Sequence, residues 1–246
     1  MDTTHERRTH MLARALERHQ PPSGPAFRCP YLPGRWARHV VLAPPVVPPG
    51  AYHTLMDLNF RRLGPVFYRP ACDGCQECRM LRIAVADFRP SRSQRRCLAA
   101  NRDLSVEVGG PVATEEKRRL YARYLRARHD GEMDGSADEF EGFLYTSRVE
   151  TIELVYRAGG RLVGAGIADV EPLALSAVYF YFDPGEARRS PGVFNVLRLV
   201  EECRRRGLAH LYLGFYVREC AKMSYKAAYR PSQVLAPDGA WRRLET

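Results

Sequence analysis

In YRPACDGCQEC, residues 68–78, Cys72, Cys75 and Cys78 stand with two residues between neighbours. That spacing lets one tight loop present three thiolates to a soft metal ion. Buried reduced thiols and a redox-active set are the other readings. A disulfide framework is disfavoured by the odd total of seven cysteines and by the lack of an export signal. KMSYK carries Lys222, Tyr225 and Lys226 at separations of three and four, one face of a helix. Three of the 38 basic residues are lysines, and two of those fall here. Where arginine is the usual cation, paired lysines point to a compact, titratable ammonium; a solvated basic face packed through Tyr225 is the plain alternative. FRPSRSQRR adds Arg89, Arg92, Arg95 and Arg96, whose planar forks match carboxylates or phosphates.

Such groups need elements to position them. Residues 1–26 read as a basic, helical N-terminal extension ending in a PPSGP break. Residues 27–108 read as a proline-rich N-terminal subdomain containing the cysteine loop. Within it MLRIAVADF alternates like a strand, and SQRRCLAANRDL reads as a helix with Ser91 or Ser93 as N-cap. After the GGP break, residues 109–246 form the C-terminal domain. It opens with a helix capped by Thr114, with Leu120, Tyr121, Tyr124 and Leu125 on its apolar face. The acidic stretch 130–145 reads as a loop followed by a short helix. TIELVYRA and RLVGAGIADV then make a hairpin across Gly159–Gly160, and ALSAVYFYF a third strand. A helix runs from Ser190–Pro191 to Gly207, HLYLGFYV is a fourth strand, and RECAKMSYKAAY a second helix. The fold class expected is α+β, with one parallel strand–helix–strand crossover.

Length and charge bound the function. A chain of 246 residues with 45% apolar and 27% charged side chains reads as globular. No apolar run is long enough to span a bilayer, and the charged N-terminus has no apolar signal region, so the cytoplasm is expected and a membrane is not. A net charge of +10 suits a polyanionic partner such as nucleic acid.

The C-terminal order, with the turn that leads into its long helix, resembles the core of GNAT-type acyltransferases. There an Arg/Gln-x-x-Gly-x-Gly/Ala turn offers backbone N–H groups to a pyrophosphate. Arg189 and Gly192 fit that turn. Phe194 stands at its last small position, and Pro191 lacks an N–H, which points to an acyl donor other than coenzyme A. YRPACDGCQECRMLRIAVADFRPSRSQRR, YFYFDPGEARRSPGVFNVL, LYLGFYVRECAKMSYKAAYRPSQVL and PDGAW together resemble the arginyl/leucyl-tRNA–protein transferase family, in particular its bacterial aspartate/glutamate leucyltransferase branch. The likeness begins near FRCPYLPGR and runs almost to the C-terminus.

The resemblance implies an aminoacyltransferase that moves leucine from leucyl-tRNA to proteins with an N-terminal Asp or Glu, creating a degradation signal; arginyl-tRNA is the second donor. On this reading Asp183 orients the attacking amine or accepts from it, unless Asp-Pro-Gly is simply a turn. Lys222 and Lys226 hold tRNA phosphates or neutralise the oxyanion, and Tyr225 donates to the leaving oxygen. Arg189 and Gly192 face the donor. Tyr216, with Tyr212 and Tyr229, stacks on the terminal adenine or fills the core. Arg89, Arg92 and Arg95 recognise the acidic side chain or meet tRNA phosphate. Cys29 supplies a fourth thiol, so Cys29, Cys72, Cys75 and Cys78 suit a structural zinc ion or iron–sulfur cluster, with no cofactor required for the chemistry. The cysteine spacing departs from that of eukaryotic members, which look like one Cys-x-x-Cys plus an adjacent pair.

An α-amine has a pKa of about 7.7–8.0, so part of it is already nucleophilic near neutrality. Alignment with an activated ester contributes about 7–11 kcal/mol, and oxyanion donors several more, without a Ser or Cys triad. A coenzyme A-dependent N-acetyltransferase and a non-catalytic zinc-dependent RNA-binding module are the rival readings.

Overall fold

The computed structural model describes residues 3–128 and 136–245. An N-terminal helix α1 (Thr3–His19) leads to a short ladder of β1 (Phe27–Arg28) and β2 (Trp36–Ala37). Strands β3 (His39–Leu42), β4 (Arg61–Leu63) and β5 (Val66–Pro70) form a small antiparallel sheet in the order β3-β5-β4, with α2 (Ala51–Asp57) between β3 and β4 in sequence. Next come β6 (Arg79–Ala84), α3 (Arg92–Ala100), β7 (Leu104–Gly109), α4 (Glu115–Arg128) and α5 (Ala137–Phe140), which runs into a π-helical turn at Glu141–Tyr145. The remainder is β8 (Thr151–Ala158), β9 (Arg161–Glu171), β10 (Ala174–Phe182), a 3-10 turn (Pro184–Arg189), α6 (Pro191–Arg205), β11 (His210–Tyr216), α7 (Ala221–Ser224), a second 3-10 turn (Tyr225–Ala228), β12 (Ser232–Leu235) and β13 (Trp241–Arg243).

Eight strands make the large sheet in the order β13-β12-β6-β11-β10-β9-β8-β7. Every neighbouring pair is antiparallel except β10 and β11, which the α6 crossover makes parallel as expected. The sheet takes β6 and all but the last residue of β7 from before residue 109, so its strands come from both sides of the boundary read from the sequence. Local signals explain the pieces. Gly159 and Gly160, at φ of 52° and 84°, make the primed turn between β8 and β9. Ser91 and Gln94 close a capping box on α3, and Thr114 Oγ1 accepts from Lys117 N at the start of α4.

Three apolar clusters hold the layers. On one face α6, through Leu197, Val200 and Cys203, packs on Leu81, Ile83, Leu175 and Leu211. On the other, α4 and α5 cover Ile167 and Tyr181, while the small sheet and α2 bury Tyr52, Met56, Phe60 and Phe67 against Met80, Tyr212 and Phe215. The N-terminal extension is tied to this body: His5 and Asp57 lie 2.9 Å apart, and the His5 ring stacks on His53. Tyr212 donates to Asp57 at 2.6 Å. No described helix is long and apolar enough to cross a membrane.

Candidate active site

The parallel ladder between β10 and β11 holds for three pairs, Ala174–His210, Leu175–Leu211 and Ser176–Tyr212, and then ends. Beyond it each strand stays paired with its outer neighbour, β10 with β9 as far as Phe182 and β11 with β6 as far as Tyr216. Both strands are irregular where they part, between Ala177 and Tyr179 and between Tyr212 and Gly214. The result is a wedge whose facing edges carry backbone groups outside the ladder, suited to receiving an extended chain or a carbonyl.

Arg61 enters this wedge from β4. Its Nη2 donates to the carbonyls of Ala177 at 3.4 Å and Val178 at 3.3 Å. On the β11 side Gly214 has φ of 75°, and a Cβ there would lie 2.6 Å from Arg61 Cζ. Glycine thus lets the guanidinium rest against the strand. The irregularity also shifts the phase of β11: Leu211 and Leu213 face the α6 core, whereas Phe215 joins Tyr212 on the opposite face. Arg61 Cζ stands 5.7 Å from the Phe215 ring centre, and Tyr31, Tyr52, Tyr68 and Tyr225 lie within electrostatic reach. The adjacent Arg62 contrasts with it. Arg62 Nε and Nη2 each donate to Asp169 at 2.8 Å, with both side chains fully buried. Among the described residues, no carboxylate forms an ion pair with Arg61.

Lys226 lies beside the wedge. Its Nζ donates to the Phe215 carbonyl and contacts Met223 Sδ. Burial, and secondarily the like charge of Arg61, push its ammonium down to about 7. A lysine that exchanges protons near neutrality suits transfer from an amine nucleophile. Tyr225 is half exposed and Lys222 is exposed. The single helix expected over 218–229 is not formed. One α-helical turn gives way at Tyr225 to a tighter 3-10 turn, which changes the rotation per residue, so Lys222 and Lys226 do not share a face.

The other candidates lie outside the wedge. Asp183 accepts from Gly185 N at 3.0 Å and pairs with Arg161 at 2.7 Å. Arg189 is held by Asp103 at 2.6 Å and Glu186 at 2.7 Å, while Gly192 is exposed in the first turn of α6. A phosphate approaching this helix end would meet an arginine already paired and three carboxylates, which weighs against coenzyme A. Arg89 donates to the carbonyls of Ala86 and Phe88, Arg95 donates to that of Pro90, and Arg92 is exposed on α3. Tyr216 is 4% exposed and packs on the α6 side, so a base could stack on it only after a rearrangement.

Cys29, Cys72, Cys75 and Cys78 line one cavity together with Tyr31 and Leu32. Leu32 N–H points to Cys29 Sγ at 3.4 Å. Burial, then the three neighbouring thiols, push Cys78 up to about 12. The four sulfurs line one cavity, but among the described residues no three of them lie within 4.8 Å of one another, so a single tetrahedral ion would need them to draw together, whereas the corners of an iron–sulfur cluster stand farther apart. Tyr31 links this loop to the wedge, lying within electrostatic reach of Cys78, Cys220, Tyr68 and Arg61.

Arg61 and its tyrosine surround are the part that residue spacing did not indicate. The available local signal was the Arg61–Arg62 pair in NFRRLG, where one arginine finds a buried carboxylate and the other does not.

Taken together, the chain folds as α+β around a mixed sheet with one parallel crossover and a polar wedge where its strands part. The chain belongs to the arginine-tRNA-protein transferase family, whose N-terminal model matches residues 27–96 and whose C-terminal model matches residues 116–236. It is 42% identical over 222 residues to an aspartate/glutamate leucyltransferase of Halorhodospira halophila, covering 88% of this chain and 94% of that one. A protein of the same name from Saccharophagus degradans is 41% identical over 210 residues, covering 84% and 89%. Weaker likenesses among solved structures, on which nothing further rests, are to L-PGS from Bacillus licheniformis and to FemX. The first has a TM-score of 0.42 at 12% identity, covering 68% of this chain and 50% of that one. The second has a TM-score of 0.41 at 9% identity, covering 67% and 59%.

Proposed function

We propose that this aminoacyltransferase moves leucine from leucyl-tRNA to the α-amine of proteins beginning with Asp or Glu, and that it works in the cytoplasm. The observation that carries the reading is the wedge itself, which gathers Arg61, Tyr225 and the near-neutral Lys226 where two strands part. The names of the relatives support leucine over arginine as donor.

The neutral amine attacks the ester carbonyl, a C–N bond forms, and the C–O bond to the terminal ribose breaks. Lys226 takes the proton the amine loses, and Tyr225 donates to the departing oxygen. Once it has taken that proton, the Lys226 ammonium is the cation that stabilises the oxyanion. The exposed Arg92 of α3 and the exposed Lys222 offer charge for tRNA phosphates, in keeping with the net +10. Cys29, Cys72, Cys75 and Cys78 would hold a zinc ion or iron–sulfur cluster that braces the Tyr31 side of the wedge and takes no part in the transfer.

The test supplies a peptide with N-terminal Asp together with separately charged leucyl- and arginyl-tRNA. Leucylated peptide is the expected product. Arginylated peptide alone would move the reading to the second donor, and transfer from neither would overturn it.

A further inference from the structure

We propose that Arg61 is the residue that reads the acidic side chain of the acceptor, by pairing its guanidinium with the Asp or Glu carboxylate inside the wedge. This rests on the function proposed above and adds to it the group that selects the acceptor.

Connectivity sets where such a group must be. In an N-terminal Asp the carboxylate carbon is three bonds from the attacking nitrogen, and in Glu four. The group that binds the carboxylate therefore sits within a few ångströms of the reacting amine, in the same cleft. Of the arginines considered as readers, Arg61 alone occupies that cleft, contacting the carbonyls of Ala177 and Val178 on one wall and approaching Gly214 on the other.

Pairing leaves the same candidate. Arg62 is taken by Asp169, Arg189 by Asp103 and Glu186, and Arg82 by Tyr212, Gln233 and Asp57. Arg89 and Arg95 cap carbonyls of their own segment. Arg92 is exposed on α3, where an ion pair is too screened to discriminate Asp from Asn. Arg61 is half-buried, has no carboxylate partner among the described residues, and is surrounded by the phenols of Tyr31, Tyr52, Tyr68 and Tyr225 and the ring of Phe215. A guanidinium in that setting leaves donors for a bidentate carboxylate, and the low-dielectric surround makes loss of the charge costly. The neighbouring Arg62–Asp169 pair fixes the backbone of β4 and so aims Arg61.

The experiment measures binding of two peptides, identical but for an N-terminal Asp or Asn, to the full chain by calorimetry without tRNA. It also measures kcat/KM for leucyl transfer to each. The wild type is expected to prefer Asp by about 10²-fold or more, as a site built around a polar group rejects the analogue that cannot satisfy it. Arg61→Gln is expected to bring that ratio close to one by losing Asp while keeping Asn. An Arg61→Gln protein that preserves the ratio, falling equally on both peptides, overturns the assignment. Should Arg61→Gln fail to fold, Arg61→Met fills the same aromatic surround without the charge, and an unchanged ratio there overturns the assignment equally. A wild type that binds the Asp peptide selectively through Arg61 yet transfers no leucine would support the carboxylate site and refute the transfer reaction, so the two failures are distinguishable.

Discussion

Replacing Arg62 by methionine tests the foundation on which the wedge is built. Arg62 and Asp169 are both fully buried and share two bonds of 2.8 Å. In Arg62→Met the Asp169 carboxylate keeps the Thr151 hydroxyl at 2.9 Å and loses its cation. Breaking a buried pair by removing one partner costs about 3–5 kcal/mol. For a chain of this size each kcal/mol moves Tm by about 2–4 °C, so a fall of about 6–20 °C is expected. Burial already acts to raise the Asp169 pKa against the pull of Arg62. Without Arg62 that carboxyl takes up a proton in the folded state well above its unfolded range, so the deficit grows with rising pH and shrinks on acidification. Joint replacement, Arg62→Met with Asp169→Leu, leaves no buried charge and should recover much of the loss. Denaturant titration of the two single variants and the double gives the coupling. A single variant within about 1 kcal/mol of wild type, or a double variant that is the plain sum of the singles, would refute the reasoning.

Three further outcomes are expected. His210 is held down to about 4 by burial and then by Arg82, and its Nδ1 has no hydrogen-bond partner among the described residues. An unfolded imidazole titrates near 6.5, so the unfolded state binds the proton first; stability present above that value is lost as pH falls toward 4. Against His210→Asn, urea titrations should show an extra wild-type loss on the order of 2–3 kcal/mol over that window, and parallel pH profiles would contradict it. Lys226→Met removes a buried, partly discharged ammonium; the fold should persist by circular dichroism while leucyl transfer drops by about 10²-fold or more, and near-wild-type turnover would exclude Lys226 from proton transfer. Elemental analysis of anaerobically purified protein should find zinc or iron, lost in Cys75→Ser together with thermal stability. Metal below about a tenth of an equivalent would remove that element of the account.

The parts legible in the sequence are those fixed by neighbours in the chain. Gly159–Gly160 marks the β8–β9 turn, Ser190–Pro191 and Gly207 bracket α6, Ser91 caps α3, and the parallel crossover follows from strand–helix–strand order. The four cysteines, with Cys29 added by family likeness, meet at one cavity. The loop part of the acidic stretch, 130–135, lies outside the described residues; its helical part is observed over Ala137–Tyr145. What the sequence hid is non-local. Arg61 meets Ala177 and Val178, more than a hundred residues away, and nothing beside Arg61 distinguishes it from Arg62. The helical spacing of Lys222 and Lys226 was real but lost to a tighter turn, because Lys226 finds the Phe215 carbonyl inside the molecule. Strands β12 and β13 are short, and pairing with β6 and with each other, rather than any marked alternation, makes them strands.

The most direct test of the whole account follows the leucyl group through a single turnover, with leucyl-tRNA, an N-terminal Asp peptide and excess protein, by intact-mass analysis of both polypeptides. Direct attack in the wedge predicts a peptide heavier by one leucyl residue, formed as tRNA is deacylated, while the mass of the protein never changes. A leucyl adduct on the protein that appears and decays with turnover, or deacylation without peptide product, would contradict it.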